Sequence, residues 1–180
     1  MNIRIRRVLV AATVAPLAST MLSGSPASAG GSQRTSEPLV TYSAAVPEGA
    51  TARVHTVETG SGRTITTLHV SGFAPNTKYG AHAHTRRCGD TGRAAGPHFQ
   101  NDVDPVSPST SPRFANPANE IWLDLTTNAA GQGRAKSTVD RQFSPTRRAK
   151  SVNIHVEHTH TGPTDSGFAG ARLACLNVPF

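Results

Sequence analysis

The chain has 180 residues, with 18 Lys and Arg residues against 11 Asp and Glu residues, and a formal net charge of +7. This length suits a single domain with a core of its own. A nucleic-acid-binding surface combines a stripe of cations with interleaved aromatic side chains. Aromatic residues make up only 5% of this chain and do not interleave with its cations, so we expect no nucleic-acid partner.

Residues 1–29 predict a secretory signal peptide. Arg4, Arg6 and Arg7 precede an apolar segment, and the small residues 27–29 form a cleavage site. The apolar segment is about 15 residues long, shorter than the roughly 20 that span a bilayer, so we expect no membrane span in the mature protein. Cleavage would leave 15 basic and 11 acidic residues, a net charge of +4 that could draw in a small anion. We expect bacterial export, with the mature protein secreted or associated with the cell wall.

The rest of the chain predicts one β-domain, residues 38–180, after a disordered lead-in at residues 30–37. Short segments alternate apolar and polar residues between Gly and Pro turns, and no long segment has a helical period. Eight strands are predicted, in residues 38–44, 50–59, 63–73, 80–85, 120–127, 133–139, 150–158 and 171–178. This pattern favours an all-β fold, an eight-stranded antiparallel Greek-key sandwich or barrel.

Two long segments, residues 86–119 and 159–170, are rich in Gly, Pro and polar residues and predict loops. Loops of this length without secondary structure of their own tend to be functional, and both flank histidines. Trp122 is expected to pack in the sandwich or at an interface, and the sequence does not separate these two.

The histidines form the most informative local pattern in the chain. His82 and His84 are two residues apart on a predicted strand, so both imidazoles point to the same face. His98 follows in the long loop, and His155 lies on a later predicted strand. Four neutral imidazoles around one point would make a nitrogen-rich metal site, which suits copper(II) best among the common metals.

Other histidines and the cysteines leave alternatives open. His158 and His160 repeat the spacing of the first pair and could form a rival pair, although loop residues without a metal are expected there. Export favours a disulfide between the only two cysteines, Cys88 and Cys175, and two free buried thiols are the alternative. A bridge closing so long a loop would contribute roughly 4 to 5 kcal/mol in the chain-entropy model.

The order of these motifs resembles the copper/zinc superoxide dismutase family. The resemblance runs from HVSGFAPNTKYGAHAH through CGD and AGPHF to the closing AGARLAC. It implies a superoxide anion substrate, an active-site Arg172 that guides this anion, and a Cys88–Cys175 disulfide. It also implies four copper ligands, which are His82, His84, His98 and His155. In two-metal members the histidine that matches His98 bridges copper and zinc.

The chain departs from the family pattern where zinc ligands are expected. No histidine occurs between His98 and His155, and the only acidic side chains in the segment after His98 up to residue 125 are those of Asp102, Asp104, Glu120 and Asp124. A zinc site normally needs four ligands with His or Cys among them, so zinc is not an expected cofactor. The chain is most similar to the exported bacterial copper-only members. Without zinc, His98 needs another partner for its second nitrogen, and Glu120 is the favoured candidate among the four acids.

The sequence therefore predicts an exported, copper-dependent superoxide dismutase that converts superoxide to dioxygen and hydrogen peroxide. The resemblance implies that His98 leaves copper(I), takes up a proton and donates it, and that Arg172 supplies a fixed positive charge for the anion. The alternative is a copper-binding or copper-buffering protein on the same fold without turnover. A metal-free structural relative is a third interpretation, which the four histidines disfavour. A homodimer and a monomer both remain open.

Overall fold

The computed structural model describes residues 31–180, and the predicted signal peptide lies outside the described residues. Nine strands are present in this part: β1 Ser32–Thr35, β2 Val40–Thr41, β3 Thr51–Glu58, β4 Thr64–Ser71, β5 Lys78–His84, β6 Leu125–Thr126, β7 Gly133–Val139, β8 Ser151–His155 and β9 Arg172–Asn177. A single 3-10 turn, Gly92–Ala95, interrupts the first long loop. Residues 31–180 contain no α-helix, and so no helix there could cross a membrane.

The strands form two antiparallel sheets. One has the order β1-β3-β4-β7, and the other has the order β2-β9-β8-β5-β6. Side chains from both sheets, such as Val54 and Leu68 from the first and Val152 and Ile154 from the second, share one buried apolar core. This confirms the predicted all-β antiparallel class, although the sheets stay separate and do not close into a barrel.

Two segments differ from the sequence prediction. Residues 30–37 were expected to be a disordered lead-in, but Ser32–Thr35 form β1 and pair with the edge of β3. Backbone hydrogen bonds to an open sheet edge supply the order that the side chains do not encode. Only Leu125–Thr126 of the predicted strand 120–127 forms a regular ladder. The edge of β5 is shared, because farther along it pairs singly with Trp122 and His98.

Strand β5 places two kinds of side chain on its two faces. Tyr79, Ala81 and Ala83 belong to the shared core. The alternate residues His82 and His84 point to the opposite face, as the two-residue period of a strand requires. Both histidines are nevertheless fully buried, because the two long loops cover that face.

Gly80 allows one of these loops to pack closely on β5. A Cβ atom at this position would lie 2.5 Å from the carbonyl oxygen of Glu157 and 2.8 Å from the Cβ of Ala169. Gly80 is also the β5 partner of His155 across the ladder. The missing side chain therefore leaves room for the loop beside the His155 position of β8.

Candidate metal centre

Four histidines, His82, His84, His98 and His155, meet on the loop-covered face of the second sheet. Each offers one ring nitrogen to a common point, and these nitrogens all lie within 4.8 Å of one another. The ring centroids of His82 and His98 are 4.0 Å apart, and those of His84 and His98 are 4.9 Å apart. The structure thus brings together all four histidines for which the sequence predicted metal binding.

Two strands and one loop position these rings. In the ladder between β5 and β8, His155 lies diagonally across from His82. Diagonal neighbours in an antiparallel pair are within reach of long side chains. The first long loop pairs with β5 through an isolated β-bridge between His84 and His98. In this bridge Phe99 donates its backbone N–H to the carbonyl oxygen of Ala83 at 2.8 Å. This backbone contact fixes the loop histidine against the strand.

Three of the rings have a buried nitrogen without a hydrogen-bond partner. These atoms are Nδ1 of His82, Nε2 of His84 and Nε2 of His155. A buried polar atom without a partner costs free energy, and such atoms need an explanation. Three orphaned nitrogens that converge with a fourth imidazole fit a transition-metal ion, since each neutral ring offers one lone pair.

Backbone carbonyls hold two of the rings from behind. Nδ1 of His84 donates to the carbonyl oxygen of Gly96 at 3.0 Å, and Nδ1 of His155 donates to that of Gly170 at 3.2 Å. A carbonyl accepts only, so each contact places the proton on Nδ1 and leaves Nε2 as the electron-pair donor. Both carbonyls belong to the long loops, which therefore select the tautomers of strand histidines.

Glu120 is the acceptor behind His98. The carboxylate Oε2 lies 2.8 Å from Nδ1 of His98, and the same carboxylate accepts hydrogen bonds from Gln100 Nε2 at 2.8 Å and Trp122 Nε1 at 2.6 Å. Glu120 is 2% exposed, so its charge is compensated by three donors rather than by water. The sequence favoured Glu120 among the four acids, and the structure places that residue in contact with His98.

His82 is held through an intermediate hydroxyl. Its Nε2 lies 2.6 Å from Oγ1 of Thr159, and that hydroxyl donates to Oδ1 of Asp124 at 2.6 Å. Asp124 also accepts the backbone N–H groups of Thr159 and Ala81. Because the Thr159 proton goes to the carboxylate, the hydroxyl oxygen accepts from His82, which leaves Nδ1 of His82 as the electron-pair donor.

The environment keeps the buried imidazoles neutral. Burial, followed by the repulsion that protonated rings of the cluster would exert on one another and by the charge of Arg172, lowers the pKa of His82 and of His84 well below the usual value. Burial and then His98 lower the pKa of His155 to about 3. A neutral imidazole is the form that binds a metal, so the cluster is ready for a cation near neutral pH.

Arg172 lies at the start of β9 and lines a cavity of about 950 Å³ together with His98 and His155. Its guanidinium donates to the carbonyl oxygens of Gly92 at 2.6 Å and Gly96 at 2.8 Å. No carboxylate neutralises it among residues 31–180. The cation is thus fixed in place while its charge remains available to an anion in the cavity.

A disulfide joins the loop beside Arg172 to β9. Cys88 and Cys175 are bonded, with Cα atoms 5.8 Å apart. This confirms the predicted pairing over the alternative of two free thiols. The N–H of Cys88 also donates to Oδ1 of Asn177 at 2.9 Å. The loop that supplies the Gly92 and Gly96 carbonyls is therefore tied to the strand that carries Arg172.

The rival histidine pair does not join the centre. His158 contacts the carbonyl of Leu125 at 2.9 Å, and His160 contacts Asp165 at 2.7 Å. The hydrogen bond to Asp165 raises the pKa of His160. The residue between them, Thr159, is the one that contacts the cluster.

Sequence reasoning missed the roles of Thr159 and Trp122 in this site. Glu120 and Trp122 are two residues apart in extended chain, a spacing that puts both side chains on one face and could have indicated their contact. Trp122 also lies edge-on to His82, with ring centroids 5.8 Å apart. No comparable signal exists for Thr159, because only the closure of the second loop brings it to His82.

Comparison with known proteins supports the fold. The chain matches no protein-family model and no curated protein by sequence. Its structure is similar to the Cu/Zn superoxide dismutase from Brucella abortus, with a TM-score of 0.57, 18% identity, and coverage of 81% of this chain and 99% of that chain. A double mutant of a SOD-like protein from Bacillus subtilis has a TM-score of 0.58 and 18% identity, with coverage of 84% of this chain and 98% of that chain. The clock protein EA4 has a TM-score of 0.55 and 19% identity, with coverage of 81% of this chain and 93% of that chain. At these identities the likeness establishes a superoxide-dismutase-like fold.

Proposed function

We propose that the protein is an exported superoxide dismutase that uses copper and no zinc. The observation that carries this proposal is the convergence of open nitrogens from His82, His84 and His155 with His98 beside an anchored Arg172. The cluster of histidine nitrogens fits a copper ion, because imidazole ligands suit copper. The anchored Arg172 fits a small anionic substrate, because a fixed cation in a cleft concentrates anions.

Copper held by the four histidines would supply one-electron chemistry, in which one superoxide is oxidised to dioxygen and another is reduced to hydrogen peroxide. The protein has to attract the anion and deliver protons. Arg172 performs the first task, since its guanidinium stays charged at any relevant pH and two carbonyls hold it in the cavity.

His98 is the residue best placed for proton delivery. Its side chain is 17% exposed, whereas His82 and His84 are fully buried. Glu120 holds Nδ1 of His98, so Nε2 is the atom that can bind a proton and pass it to an anion in the cavity. The carboxylate fixes the orientation of the ring while the proton moves.

The contact between His98 and Glu120 also supports a centre without zinc. In a two-metal site, the bridging histidine would use both ring nitrogens as metal ligands. Here the second nitrogen faces a buried carboxylate that already accepts from Gln100 and Trp122. The carboxylate takes the orienting role that a second metal would have, and the segment after His98 offers no histidine to hold one.

Copper carriage or buffering without turnover is the competing function. The fold neighbours include a clock protein as well as a dismutase, so fold alone does not decide. Arg172 favours the enzyme, because copper storage requires no anchored cation beside the metal.

The test is superoxide decay with copper-loaded protein, comparing Arg172→Ala with Arg93→Ala. Both arginines line the cavity, but only Arg172 is anchored by the loop carbonyls. We expect Arg172→Ala to lower kcat/KM by roughly 10-fold or more and to weaken its dependence on ionic strength, with unchanged copper content. A smaller effect is expected for Arg93→Ala. Copper binding without turnover in the wild type would establish the competing function.

A further inference from the structure

The solvent-facing side of the first sheet carries four cations, Arg34, Arg53, Arg134 and Lys136, which we call the outer basic face. Cross-strand pairs place Arg53 next to His69 and His69 next to Arg134. Since neighbouring strands are roughly 4.8 Å apart, the Cα atoms of Arg53 and Arg134 are about 10 Å apart, with the His69 strand between them. Arg34 and Lys136 belong to a second such row, two residues along the strands.

No acid offsets these charges within the sheet. The outward positions of β1, β3, β4 and β7 hold no Asp or Glu. None of the four cations forms an ion pair with any residue in 31–180, although seven such contacts occur elsewhere in that part of the chain. The four like charges lie on one face of the sheet, and their summed potential attracts an external anion.

A polar depression adjoins the outer basic face. It has a volume of about 450 Å³ and is lined by His69 and Arg134 together with hydroxyl and amide side chains, those of Ser71, Thr126, Asn128 and Gln132. An arginine fork matches the geometry of phosphate oxygens, while hydroxyl and amide groups pair with the hydroxyls of sugars and polyols. The two features together describe a site for a unit that carries both phosphate and hydroxyl groups.

The side chains on this face disfavour two other kinds of polyanion. The outward positions of the four strands carry no Phe, Tyr or Trp, the large rings on which successive nucleic-acid bases stack. The exposed large apolar residues of the described chain, Val103, Val106, Val156 and Phe168, all lie outside this sheet. Insertion into a membrane surface needs such side chains together with the cations.

We propose that the outer basic face binds a hydroxyl-rich polymer with phosphodiester groups, such as a polyol phosphate chain. Arg53, Arg134 and Lys136 contact successive phosphates, and the depression holds one polyol unit beside Arg134. The metal centre lies on the other sheet, on a face covered by loops, so this binding does not depend on the proposed dismutase activity.

The experiment measures binding of the full chain to poly(glycerol phosphate) over a series of salt concentrations. The test variant is R53Q/R134Q/K136Q. The control is R87Q/R113Q/R141Q, which removes the same charge from exposed positions away from the outer basic face. We expect the test variant to bind at least 10-fold more weakly, and the salt dependence of its log affinity to flatten by roughly two. The control should retain most of the affinity.

Equal losses in the test and control variants would overturn the proposal, because net charge alone would then explain the binding. Absence of wild-type binding would also overturn it, as would preference for single-stranded DNA or anionic vesicles over poly(glycerol phosphate). If the triple variant does not fold, the single variants R53Q and R134Q and the charge-preserving R53K/R134K replace it. The single variants should each weaken binding, and the lysine variant should retain most of it. Copper content and superoxide turnover, measured on the same samples, should stay unchanged.

Discussion

The orientation of His98 depends on one buried carboxylate. Glu120 accepts from His98, Gln100 and Trp122, and is 2% exposed. A ligand imidazole binds metal more tightly when an acceptor fixes its other nitrogen. The proposed metal centre therefore depends on Glu120, Gln100 and Trp122, none of which belongs to the four-histidine cluster.

Glu120→Gln should therefore lower copper affinity or superoxide turnover by about 10- to 100-fold, because the neutral amide is a weaker acceptor for the imidazole N–H. Copper affinity is measured by competition with a chelator. The matched control is Asp104→Asn, because Asp104 lines the same cavity but bonds to Ser109 and the N–H of Val106 rather than to a histidine. Equal effects of the two variants would show that cavity charge, and not the contact with His98, matters.

Thr159 is expected to fix the tautomer of His82. Thr159→Val keeps the shape of the side chain but removes the hydroxyl that joins His82 to Asp124. We expect copper affinity to fall by about 10- to 100-fold in Thr159→Val and to be retained in Thr159→Ser. Nitrogen NMR of the metal-free protein should show His82 protonated at Nε2 in the wild type and a mixture of tautomers in Thr159→Val. An unchanged tautomer would contradict this role.

The sequence predicts the strand histidines better than their supports. The spacing of His82 and His84 follows from the two-residue period of a strand, which is a local property. The carbonyls of Gly96 and Gly170 are backbone groups that any residue would supply, so no residue type reveals them in advance. Their position depends on how the loops close over the sheet.

At the scale of elements, the loop from residue 86 to 96 connects most parts of the site. Its Gly96 carbonyl accepts from both His84 and Arg172, at 3.0 Å and 2.8 Å. Gly96 has a φ of 74°, and a Cβ there would lie 2.6 Å from Oγ1 of Thr85. The Cys88–Cys175 bond ties this loop to β9.

Removing the disulfide should affect both stability and the anion site. In Cys88→Ser/Cys175→Ser we expect the free energy of unfolding to fall by about 2 to 5 kcal/mol, because the bond closes a separation of 87 residues in the unfolded chain. Superoxide turnover should fall further than copper content, since the freed loop holds Arg172. Denaturant unfolding, metal analysis and a turnover assay check the three quantities. Intact turnover in a destabilised variant would show that the loop keeps its position without the bond.

At the scale of the whole molecule, the fold class could be predicted because alternation and turn residues recur along the chain. The segment at residues 120–127 shows the limit of that reasoning. Its alternation is that of a strand, but β5 offers it only part of an edge, so a regular ladder forms at Leu125–Thr126 alone. Strand β1 was missed because pairing with β3 orders residues 32–35, whose sequence has no alternation of apolar and polar residues.

The buried histidines should make the metal-free protein sensitive to acid. The pKa of His155 falls from 6.5 to about 3 on folding, so the unfolded chain binds its proton first as the pH decreases. The resulting stabilisation is complete above pH 6.5, is lost between pH 6.5 and about 3, and is on the order of 5 kcal/mol.

Denaturant midpoints of the metal-free protein over this pH range provide the check. As the pH is lowered, the denaturant midpoint of His155→Gln should decline less steeply than that of the wild type. The midpoint of the control His158→Gln, whose histidine lies outside the cluster, should decline as steeply as that of the wild type. Parallel curves for the wild type and His155→Gln would contradict a neutral, buried His155.

The central claim is that four histidines hold a single catalytic copper. In the most direct measurement, the metal-free protein is incubated with equimolar copper and zinc. Bound metal and superoxide turnover are then determined on the same sample, and the His82→Ala variant is treated in the same way. We predict one copper per chain, no retained zinc, and rapid turnover that is lost in the variant. Retained zinc alongside the copper, or a full copper site without turnover, would contradict the claim.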